Sequence, residues 1–466
     1  GVRPVCGAVF GPPGEGSSLI LGAVDGVRVS AHRDLAGERA AAERLVARLG
    51  LDAARREGRW RFRLVGEEQM FAVVESLAEL GSEVVVDWPK DSCAWRWGGR
   101  VRPGELRVRV AVERDLLRIE GEIEVDGHRV ALVRLLEAIA EGRRYVIVGP
   151  QLFIALAAEL RARLEAVGDL IYPDHGGIEA GLAAAPDLAD LVGASSETAW
   201  LALCERFKGA GALDPEIPTG LRAELRPYQS EGFRWLARLS AWAPGACLAD
   251  DMGLGKTLQA LALLVYRAVL GPALVIAPTS VIPNWRSECA RFAPGLRVRS
   301  YQGGERVSLL ADAAAGDVFV AGYGVVTRDA DVLAQVRFAT LVLDEAHGIK
   351  NAMTRRTRAV GQLQADFRVA LTGTPVENHL GELWSLFRVI SPGLLGTWPQ
   401  FRDRFAAPIE REQNGPRRAA LVRVLRPFLL RRTKEAVLPE LPPRIELDRL
   451  VNLSAAEREV YEAARL

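Results

Sequence analysis

The chain has 466 residues, and its hydrophobic content of 49% is enough for several packed cores. A length of this order suggests about three domains. The 60 basic and 59 acidic residues give a net charge of +1, which excludes a strong overall attraction to nucleic acid or membrane. The five cysteines are far apart, so a zinc or disulfide framework is not expected. No apolar run approaches the ~18 residues of a membrane span, and no signal pattern is visible, so we expect a cytoplasmic protein with no membrane partner.

Residues 1–208 contain no nucleotide-binding motif and alternate short strand-like and helix-like patterns. Strands are predicted at 60–64, 83–88, 106–112, 117–125 and 145–148, and helices at 67–80, 129–140 and 152–164. We therefore expect an α+β region. Trp95 and Trp97 would share one face of a strand, where they could stack on bases or pack in a buried sheet face.

The turn-rich stretch 209–221 is typical of a linker, and an α/β pattern follows it over residues 222–440. Strands are predicted near 246–249, 273–277, 297–301, 317–321, 339–343 and 367–371, and helices near 257–269, 281–292, 323–335, 354–364 and 378–389. This alternation predicts a parallel sheet with helices on both faces, whose ligands bind at the carboxyl ends of the strands. The basic tail 398–434 is predicted to be helical.

A glycine-rich loop, Asp250-Asp-Met-Gly-Leu-Gly-Lys-Thr257, follows the first of these strands. Glycines at 253 and 255 would let backbone N–H groups approach phosphate oxygens. Lys256 could reach the β- and γ-phosphates, and the hydroxyl of Thr257 could hold Mg²⁺. Asp250 stands where the full phosphate-loop pattern has its first glycine. The loop predicts binding of a nucleoside triphosphate.

Two further polar groups follow later strands of the same sheet. Asp344 and Glu345 end the apolar run 340–343, where Asp344 would hold the Mg²⁺ shell and Glu345 would deprotonate the attacking water. Thr372-Gly-Thr-Pro375 ends the run 369–371. Since the carboxyl ends of parallel strands meet at one edge, we expect these groups to lie near the phosphate loop.

In this order and spacing, the motifs resemble the first RecA-like lobe of a superfamily-two helicase motor, and more narrowly a bacterial Swi/Snf-type DNA translocase. The likeness covers about residues 222–466. It is carried by Leu225-Arg-Pro-Tyr-Gln229, the loop at 250–257, Ile276-Ala-Pro-Thr279 with Asn284-Trp285, Asp344-Glu-Ala-His347 with Ile349-Lys-Asn351, Thr372-Gly-Thr-Pro-Val-Glu-Asn378 and Leu430-Arg-Arg-Thr-Lys434. Residues 1–208 are similar, more weakly, to the helicase-associated region that precedes such motors.

The resemblance implies roles for individual residues. ATP would be contacted by the loop, including Asp251, Met252 and Leu254, and by Gln229, which would read the adenine edge with support from Arg226 or Tyr228. His347, Thr372 and Thr374 would couple the state of the phosphates to movement of a second lobe. A track along one strand of duplex DNA would be lined by Pro278, Thr279, Asn284, Trp285, Lys350 and Asn351. Gly322-Tyr323 replaces the Thr-Tyr pair of the family, which leaves that DNA contact open.

The Gln-x-x-Gly-Arg-x-x-Arg pattern of a second lobe does not occur in the sequence. A strand is predicted at 444–451 and a helix capped by Ser454 after it, so we expect residues 441–466 to begin a truncated second lobe. The resemblance implies an ATP- and Mg²⁺-dependent motor on double-stranded DNA in the intact protein, associated with the nucleoid, and weak hydrolysis by the fragment. Nucleoprotein and RNA polymerase are further candidate partners.

Two other functions remain open at this point. One is a strand-separating RNA or DNA helicase of the same superfamily, and the other is a nucleotide-gated scaffold without enzymatic activity. The basic stretches 348–358 and 402–434 would either contact DNA phosphates or form solvated faces.

Overall fold

The computed structural model describes residues 11–24, 27–86, 88, 95–113, 116–174, 177–192, 197–437 and 453–465. The predicted strand at 444–451 lies outside these residues. Within them, no helix is long and apolar enough to cross a membrane. Ser454 caps the helix Ala455–Arg465 as expected, because its hydroxyl accepts from the backbone N–H of Glu457 at 3.3 Å.

The N-terminal region is a set of small sheets with helices packed on them. Its strands are β1 (Leu19–Val24), β2 (Val27–His32), β3 (Arg55–Gly58), β4 (Arg61–Arg63), β5 (Arg96–Val101), β6 (Arg107–Glu113), β7 (Leu116–Val125), β8 (His128–Ala131), β9 (Tyr145–Gly149), β10 (Leu152–Leu156), β11 (Ile171–Asp174) and β12 (Gly177–Gly181). Its helices are α1 (Leu35–Arg48), α2 (Glu67–Leu80), α3 (Leu132–Ala140), α4 (Ala158–Gly168), α5 (Ala185–Ala189) and α6 (Thr198–Ala212). Strands β11, β12, β7 and β6 form an antiparallel sheet with β8 attached to β7, and β5, β10 and β9 form a second sheet.

Three sequence predictions in this region differ from the structure. Residues 152–164 divide into strand β10 and helix α4, because Leu152, Phe153 and Ile154 are all buried and a fully buried strand shows no alternation. The predicted strand at 83–88 is absent from its described residues, where Val85 is 94% exposed and pairs with no other strand. The predicted linker begins too early, since α6 continues to Ala212.

Trp95 and Trp97 pack within the N-terminal region. The Trp95 ring lies 4.9 Å from that of Phe71, and the Trp97 ring lies 5.3 Å from that of Phe153. Phe153 is fully buried in this cluster, and both indoles are half-buried. The packing alternative is therefore correct, and these rings are not an open stacking platform.

The second part of the chain is a parallel α/β lobe. Its strands are β13 (Gly245–Leu248), β14 (Ala273–Ala277), β15 (Arg297–Ser300), β16 (Asp317–Gly322), β17 (Arg337–Leu343), β18 (Gln364–Leu371) and β19 (Leu429–Leu430). Its helices are α7 (Pro227–Ser240), α8 (Lys256–Arg267), α9 (Ile282–Phe292), α10 (Tyr323–Arg328), α11 (Ala330–Leu333), α12 (Arg355–Gln362), α13 (Leu380–Ile390), α14 (Trp398–Phe401), α15 (Ala407–Glu412), α16 (Gly415–Leu425) and α17 (Lys434–Val437). A π-helical turn, Arg402–Ala406, joins α14 to α15.

All seven strands of the lobe run parallel in the order β15-β16-β14-β17-β18-β13-β19. The inner strands β13, β14 and β16 are buried along their whole length because helices cover both faces of the sheet. The predicted parallel sheet is confirmed. The short strand β19 was not predicted, and it interrupts the tail that was expected to be helical throughout.

The two parts of the chain are joined by contacts between the strand-loop around Tyr172 and the segment after α13. The hydroxyl of Tyr172 donates to the carbonyl of Leu394 at 3.2 Å. The Arg404 guanidinium donates to the carbonyls of Gly168 and Ile171 at 2.9 Å each, and lies over the Tyr172 ring at 4.6 Å. These contacts occupy one of the basic side chains of the tail.

Glycines bring the two backbones together at the same interface. A Cβ on Gly181 would lie 2.7 Å from the backbone nitrogen of Leu394, and one on Gly393 would lie 2.3 Å from a methyl carbon of Leu116. Gly393 also has a φ of 78°, which favours glycine. Both positions therefore require glycine for the close approach.

Candidate nucleotide and nucleic-acid site

The loop after β13 has the geometry of a phosphate-binding loop. Gly253 and Gly255 adopt φ values of 86° and 75°, which only glycine tolerates well. Helix α8 begins at Lys256, so its free N–H groups and the positive end of its dipole face the loop. The Lys256 ammonium donates to the carbonyls of Asp250 at 2.7 Å and Asp251 at 3.3 Å. This arrangement suits an anionic ligand.

The predicted adenine-reading residues pack directly on this loop. The Gln229 side-chain amide donates to the Leu254 carbonyl at 3.1 Å, and its oxygen accepts from the backbone N–H of Arg226 at 3.0 Å. The Tyr228 hydroxyl donates to the same Leu254 carbonyl at 3.2 Å. A Cβ on Gly255 would lie 2.4 Å from the Gln229 amide nitrogen, so the glycine also makes room for this contact. The adenine contact itself stays a prediction.

Asp344 is held firmly at the carboxyl end of β17. One carboxylate oxygen accepts from the Trp285 indole N–H at 2.7 Å, and the other accepts from the backbone N–H of Glu345 at 2.9 Å. The Tyr323 hydroxyl donates to the Asp344 carbonyl at 2.9 Å. Burial raises the pKa of the Asp344 carboxyl, while the Trp285 hydrogen bond opposes that rise.

Glu345 projects from a strained backbone. Its φ of 46° places a non-glycine residue in the left-handed region, a conformation that clusters at functional sites. Its carboxylate lies 3.3 Å from the Nδ1 atom of His347. Burial lowers the pKa of the Lys256 ammonium, and the carboxylates of Glu345, Asp250 and Asp344 counteract it. Lys256 therefore lies within electrostatic reach of both predicted catalytic carboxylates.

The predicted Mg²⁺ donors suit the ion chemically. Mg²⁺ bound with a nucleotide takes one or two protein oxygens and completes its shell with phosphates and waters. Thr257, in the first turn of α8, and Asp344, at the end of β17, would provide one hydroxyl and one carboxylate. The described residues contain no cluster of three or more His, Cys, Asp or Glu side chains, so a cage made wholly of protein ligands is not found there.

The predicted coupling residues form a hydrogen-bonded turn after β18. The Thr372 hydroxyl accepts from the Thr374 N–H at 3.2 Å, and the Thr374 hydroxyl donates to Glu377 at 2.5 Å. Lys350 approaches Glu377 at 2.9 Å and Glu382 at 3.4 Å. The turn is thereby linked to the segment that follows Asp344 and Glu345.

A cleft opens on the other side of Glu345. Its volume is 270 Å³, and its lining consists of Pro278, Thr279, Tyr323, Gly324, Glu345, His347, Gly348 and Arg356. Two predicted nucleic-acid residues, Pro278 and Thr279, lie in it. Asn284 and Asn351 are exposed nearby on helix α9 and after Lys350.

The other two predicted nucleic-acid residues do not face this cleft. Trp285 is fully buried, and its N–H donates to Asp344, so in this structure it supports the carboxylate. The Lys350 side chain is only 9% exposed and pairs with two glutamates. Tertiary partners hold the polar atoms of both side chains in this structure, and their DNA contacts stay predictions.

Two residues of the cleft were not assigned from the sequence. Tyr323 holds the Asp344 carbonyl, and the Arg356 guanidinium lies 5.5 Å from its ring centroid. The sequence signals were the Gly322-Tyr323 pair, whose DNA contact was left open, and the position of Arg356 in the basic stretch 348–358.

The fold and the site together define a RecA-like nucleotide-binding lobe: a parallel sheet with a phosphate loop, an acidic pair and a threonine turn at one edge. A model of the SNF2-related domain matches residues 228–465, just over half of the chain. The chain belongs to this SNF2-related family, which confirms the Swi/Snf resemblance.

The chain is also similar to individual proteins and to one solved structure. YwqA of Bacillus subtilis, named an ATP-dependent helicase/translocase, is 41% identical over 53% of this chain and 28% of its own length. The TATA-binding protein-associated factor MOT1 of Saccharomyces cerevisiae is 36% identical over 61% of this chain and 17% of its length. The Sulfolobus solfataricus SWI2/SNF2 ATPase core in complex with double-stranded DNA is 38% identical over 54% of each chain, with a TM-score of 0.46. The chain thus spans less than a third of the curated relatives YwqA and MOT1.

Proposed function

We propose that this chain is part of an ATP-dependent motor that translocates on double-stranded DNA, and that residues 222–440 form its first ATPase lobe. The single observation that carries the proposal is the position of Glu345. This carboxylate follows β17 at the same sheet edge where the phosphate loop follows β13, and it also lines the cleft that contains Pro278 and Thr279. One side chain therefore borders both the nucleotide loop and the candidate DNA track.

The geometry suits hydrolysis of ATP. Backbone N–H groups of the loop and the Lys256 ammonium would hold the β- and γ-phosphates, displacing Lys256 from the carbonyls that it now contacts. Mg²⁺, held through Thr257 and Asp344, would neutralise charge on the phosphates. Glu345 would take the proton of the attacking water, and His347 lies close enough to orient the Glu345 carboxylate.

Coupling between the γ-phosphate and the cleft would pass along the sheet edge, from the threonine turn to the segment that follows Glu345. The turn at Thr372 and Thr374 is linked through Glu377 and Lys350 to the segment that follows Glu345. A change at the γ-phosphate would thus reach the cleft through a short hydrogen-bonded path. We place the whole motor on duplex DNA of the nucleoid, either naked or covered by protein.

The test uses the intact protein with duplex DNA. Lys256→Ala should abolish tight ATP binding, while Glu345→Gln should bind ATP normally and lose ~10²–10⁴-fold in phosphate release, because only the base is removed. Glu412→Gln, an exposed carboxylate on α15, is the matched control and should change neither quantity.

A second measurement separates translocation from strand separation. Displacement of a third strand from duplex DNA reports translocation, and release of one strand of the duplex reports unwinding. Triplex displacement without unwinding supports the proposal. Near-normal turnover of Glu345→Gln, or unwinding as the main activity, contradicts it.

A further inference from the structure

The segment 428–434, which leaves the lobe after α16, runs along the strand and loop that form the nucleotide site. The backbone N–H groups of Cys247, Ala249 and Asp251 donate to the carbonyls of Phe428, Leu430 and Arg432 at 2.8, 2.7 and 3.0 Å. In return, the N–H of Lys434 donates to the Asp251 carboxylate at 3.1 Å. The ladder therefore continues from β13 into the first two residues of the phosphate loop.

The side chain of Arg432 completes this attachment. Its guanidinium grips Asp250 with two parallel hydrogen bonds of 3.0 and 2.6 Å, and its backbone N–H donates to the same carboxylate at 3.2 Å. Asp250 is fully buried, and the Arg432 side chain is 12% exposed. Asp250 occupies the place of the first glycine of the phosphate-loop pattern, so a buried carboxylate here needs a dedicated partner.

Three neighbours adapt to this ion pair. The Gln259 amide donates to Asp250 at 3.3 Å, and its oxygen accepts from Arg432 at 2.9 Å. The Arg432 guanidinium also donates to the carbonyl of Tyr228, whose own hydroxyl contacts the loop. Gly232 leaves the necessary space inside helix α7, since a Cβ there would lie 1.9 Å from the Gln259 oxygen.

The same loop residues also hold the catalytic lysine. Lys256 donates to the carbonyls of Asp250 and Asp251, which are the residues that the segment 428–434 fixes from the other side. We infer that Arg432 is a positioning residue of the nucleotide site, and that the segment 428–434 acts as a latch that sets the affinity of the loop for ATP. The inference rests on the proposed function. It adds a route by which the bound nucleotide and the part of the chain that follows the lobe influence each other.

Linkage makes the coupling reciprocal. If displacement of the latch weakens ATP binding, then ATP binding must stabilise the latch by the same factor. Hydrogen exchange at the amides of the segment and of its partners Ala249 and Asp251 measures that change directly in the unmodified protein.

The first experiment compares Arg432→Gln with Arg431→Gln in the intact protein. Arg431 is the exposed neighbour on the same segment, so its variant removes the same charge without touching Asp250. We expect Arg432→Gln to raise the Kd and KM for ATP at least tenfold with a smaller change in kcat, and Arg431→Gln to stay within twofold. Arg432→Lys, which keeps the charge but loses the planar fork, should fall between wild type and Arg432→Gln.

The double variant Asp250→Asn/Arg432→Gln guards against a folding defect, because it leaves no unpaired buried charge. Its ATP affinity should match that of Arg432→Gln, at least tenfold below wild type, since the two residues act as one unit. In the unmodified protein, saturating ATP should slow exchange at the amides of 429–434 several-fold.

Each outcome decides the inference. A folded Arg432→Gln variant, or a folded double variant, that binds ATP within twofold of wild type overturns it. Exchange at 429–434 that ATP leaves unchanged also overturns it, and this measurement needs no variant. If ATP binding by the unmodified protein does not depend on Lys256, the proposed function itself is refuted. If the wild-type protein binds ATP normally and the Arg432 variants bind it equally well, only the latch is refuted.

Discussion

Two arginine-rich segments of the lobe look alike in the sequence and differ in what their side chains contact. In 348–358, Arg355, Arg356 and Arg358 are exposed, Arg356 lines the cleft next to Glu345, and the described residues show no carboxylate paired with any of the three. In 402–432, several arginines bind other parts of the molecule. Arg404 donates hydrogen bonds in the Tyr172 region, and Arg432 pairs with Asp250.

The difference shows that local charge does not predict a nucleic-acid surface. A guanidinium has five donors in a planar fork and binds carbonyls and carboxylates as readily as phosphates. Arg417 and Arg423 illustrate this, since both approach Asp169 of the N-terminal region, at 3.4 and 2.6 Å. Several arginines of the tail are paired with other parts of the molecule, whereas the three exposed arginines of 348–358 have no carboxylate partner among the described residues.

The largest expected effect separates the two segments by salt dependence. If three arginines of 348–358 contact phosphates, changing Arg355, Arg356 and Arg358 to Gln should reduce the slope of log affinity against log salt by ~0.9 per contact. The affinity for duplex DNA near 0.1 M salt should then fall ~10²–10³-fold. Changing Arg417, Arg418 and Arg423 to Gln should leave the slope nearly unchanged. Titration of duplex binding in the intact protein checks both, and equal slopes for the two triple variants would abolish the distinction.

A smaller effect tests the internal role of the tail. Arg404→Met removes two hydrogen bonds to carbonyls and a ring contact, and should lower the free energy of unfolding by about 2–3 kcal/mol. Arg402→Met, whose guanidinium is exposed and paired with the adjacent Asp403, should change it by less than about 0.5 kcal/mol. Urea unfolding of the chain measures both, and similar losses would mean that the Tyr172 interface contributes little.

The smallest effect concerns Lys350, which lies in the exposed segment but is itself buried. Lys350→Met leaves Glu377 and Glu382 without their cation and should disturb the threonine turn, lowering DNA-stimulated turnover about tenfold. Duplex affinity should keep its wild-type salt slope. Lys208→Met, on an exposed helix face, serves as the control. A flatter slope of log affinity against log salt in the Lys350 variant would show that Lys350 contacts DNA phosphates.

Much of the lobe could be predicted because its signals are local. Strand boundaries fell within a few residues of those observed, and the phosphate loop, the acidic pair and the threonine turn lie at the carboxyl edge of one sheet. These features depend on apolar runs, glycine backbone freedom and the geometry of parallel strands. Helix α2 was predicted at 67–80 and is found there.

What failed depends on tertiary contacts. Leu152–Leu156 is buried on both faces, so its apolar run could not be distinguished from a helix. Strand β19 has two residues and exists only because β13 offers an open edge. The sequence did not reveal that Trp285 contacts Asp344 or that Lys350 pairs with Glu377 and Glu382, since a motif fixes the residue but not the partner that its side chain finds.

The glycine contact at the domain interface constrains how this molecule can move. Sliding of the N-terminal region across the lobe would bring the Leu116 side chain or the Gly181 backbone against Gly393, because these groups leave no room even for a Cβ at position 393. Shear of that kind requires smooth, deformable surfaces, whereas rotation about a fixed backbone contact does not. We therefore expect any rearrangement between the two parts to be a rotation of the N-terminal region about the 181/393 contact rather than a translation across the lobe.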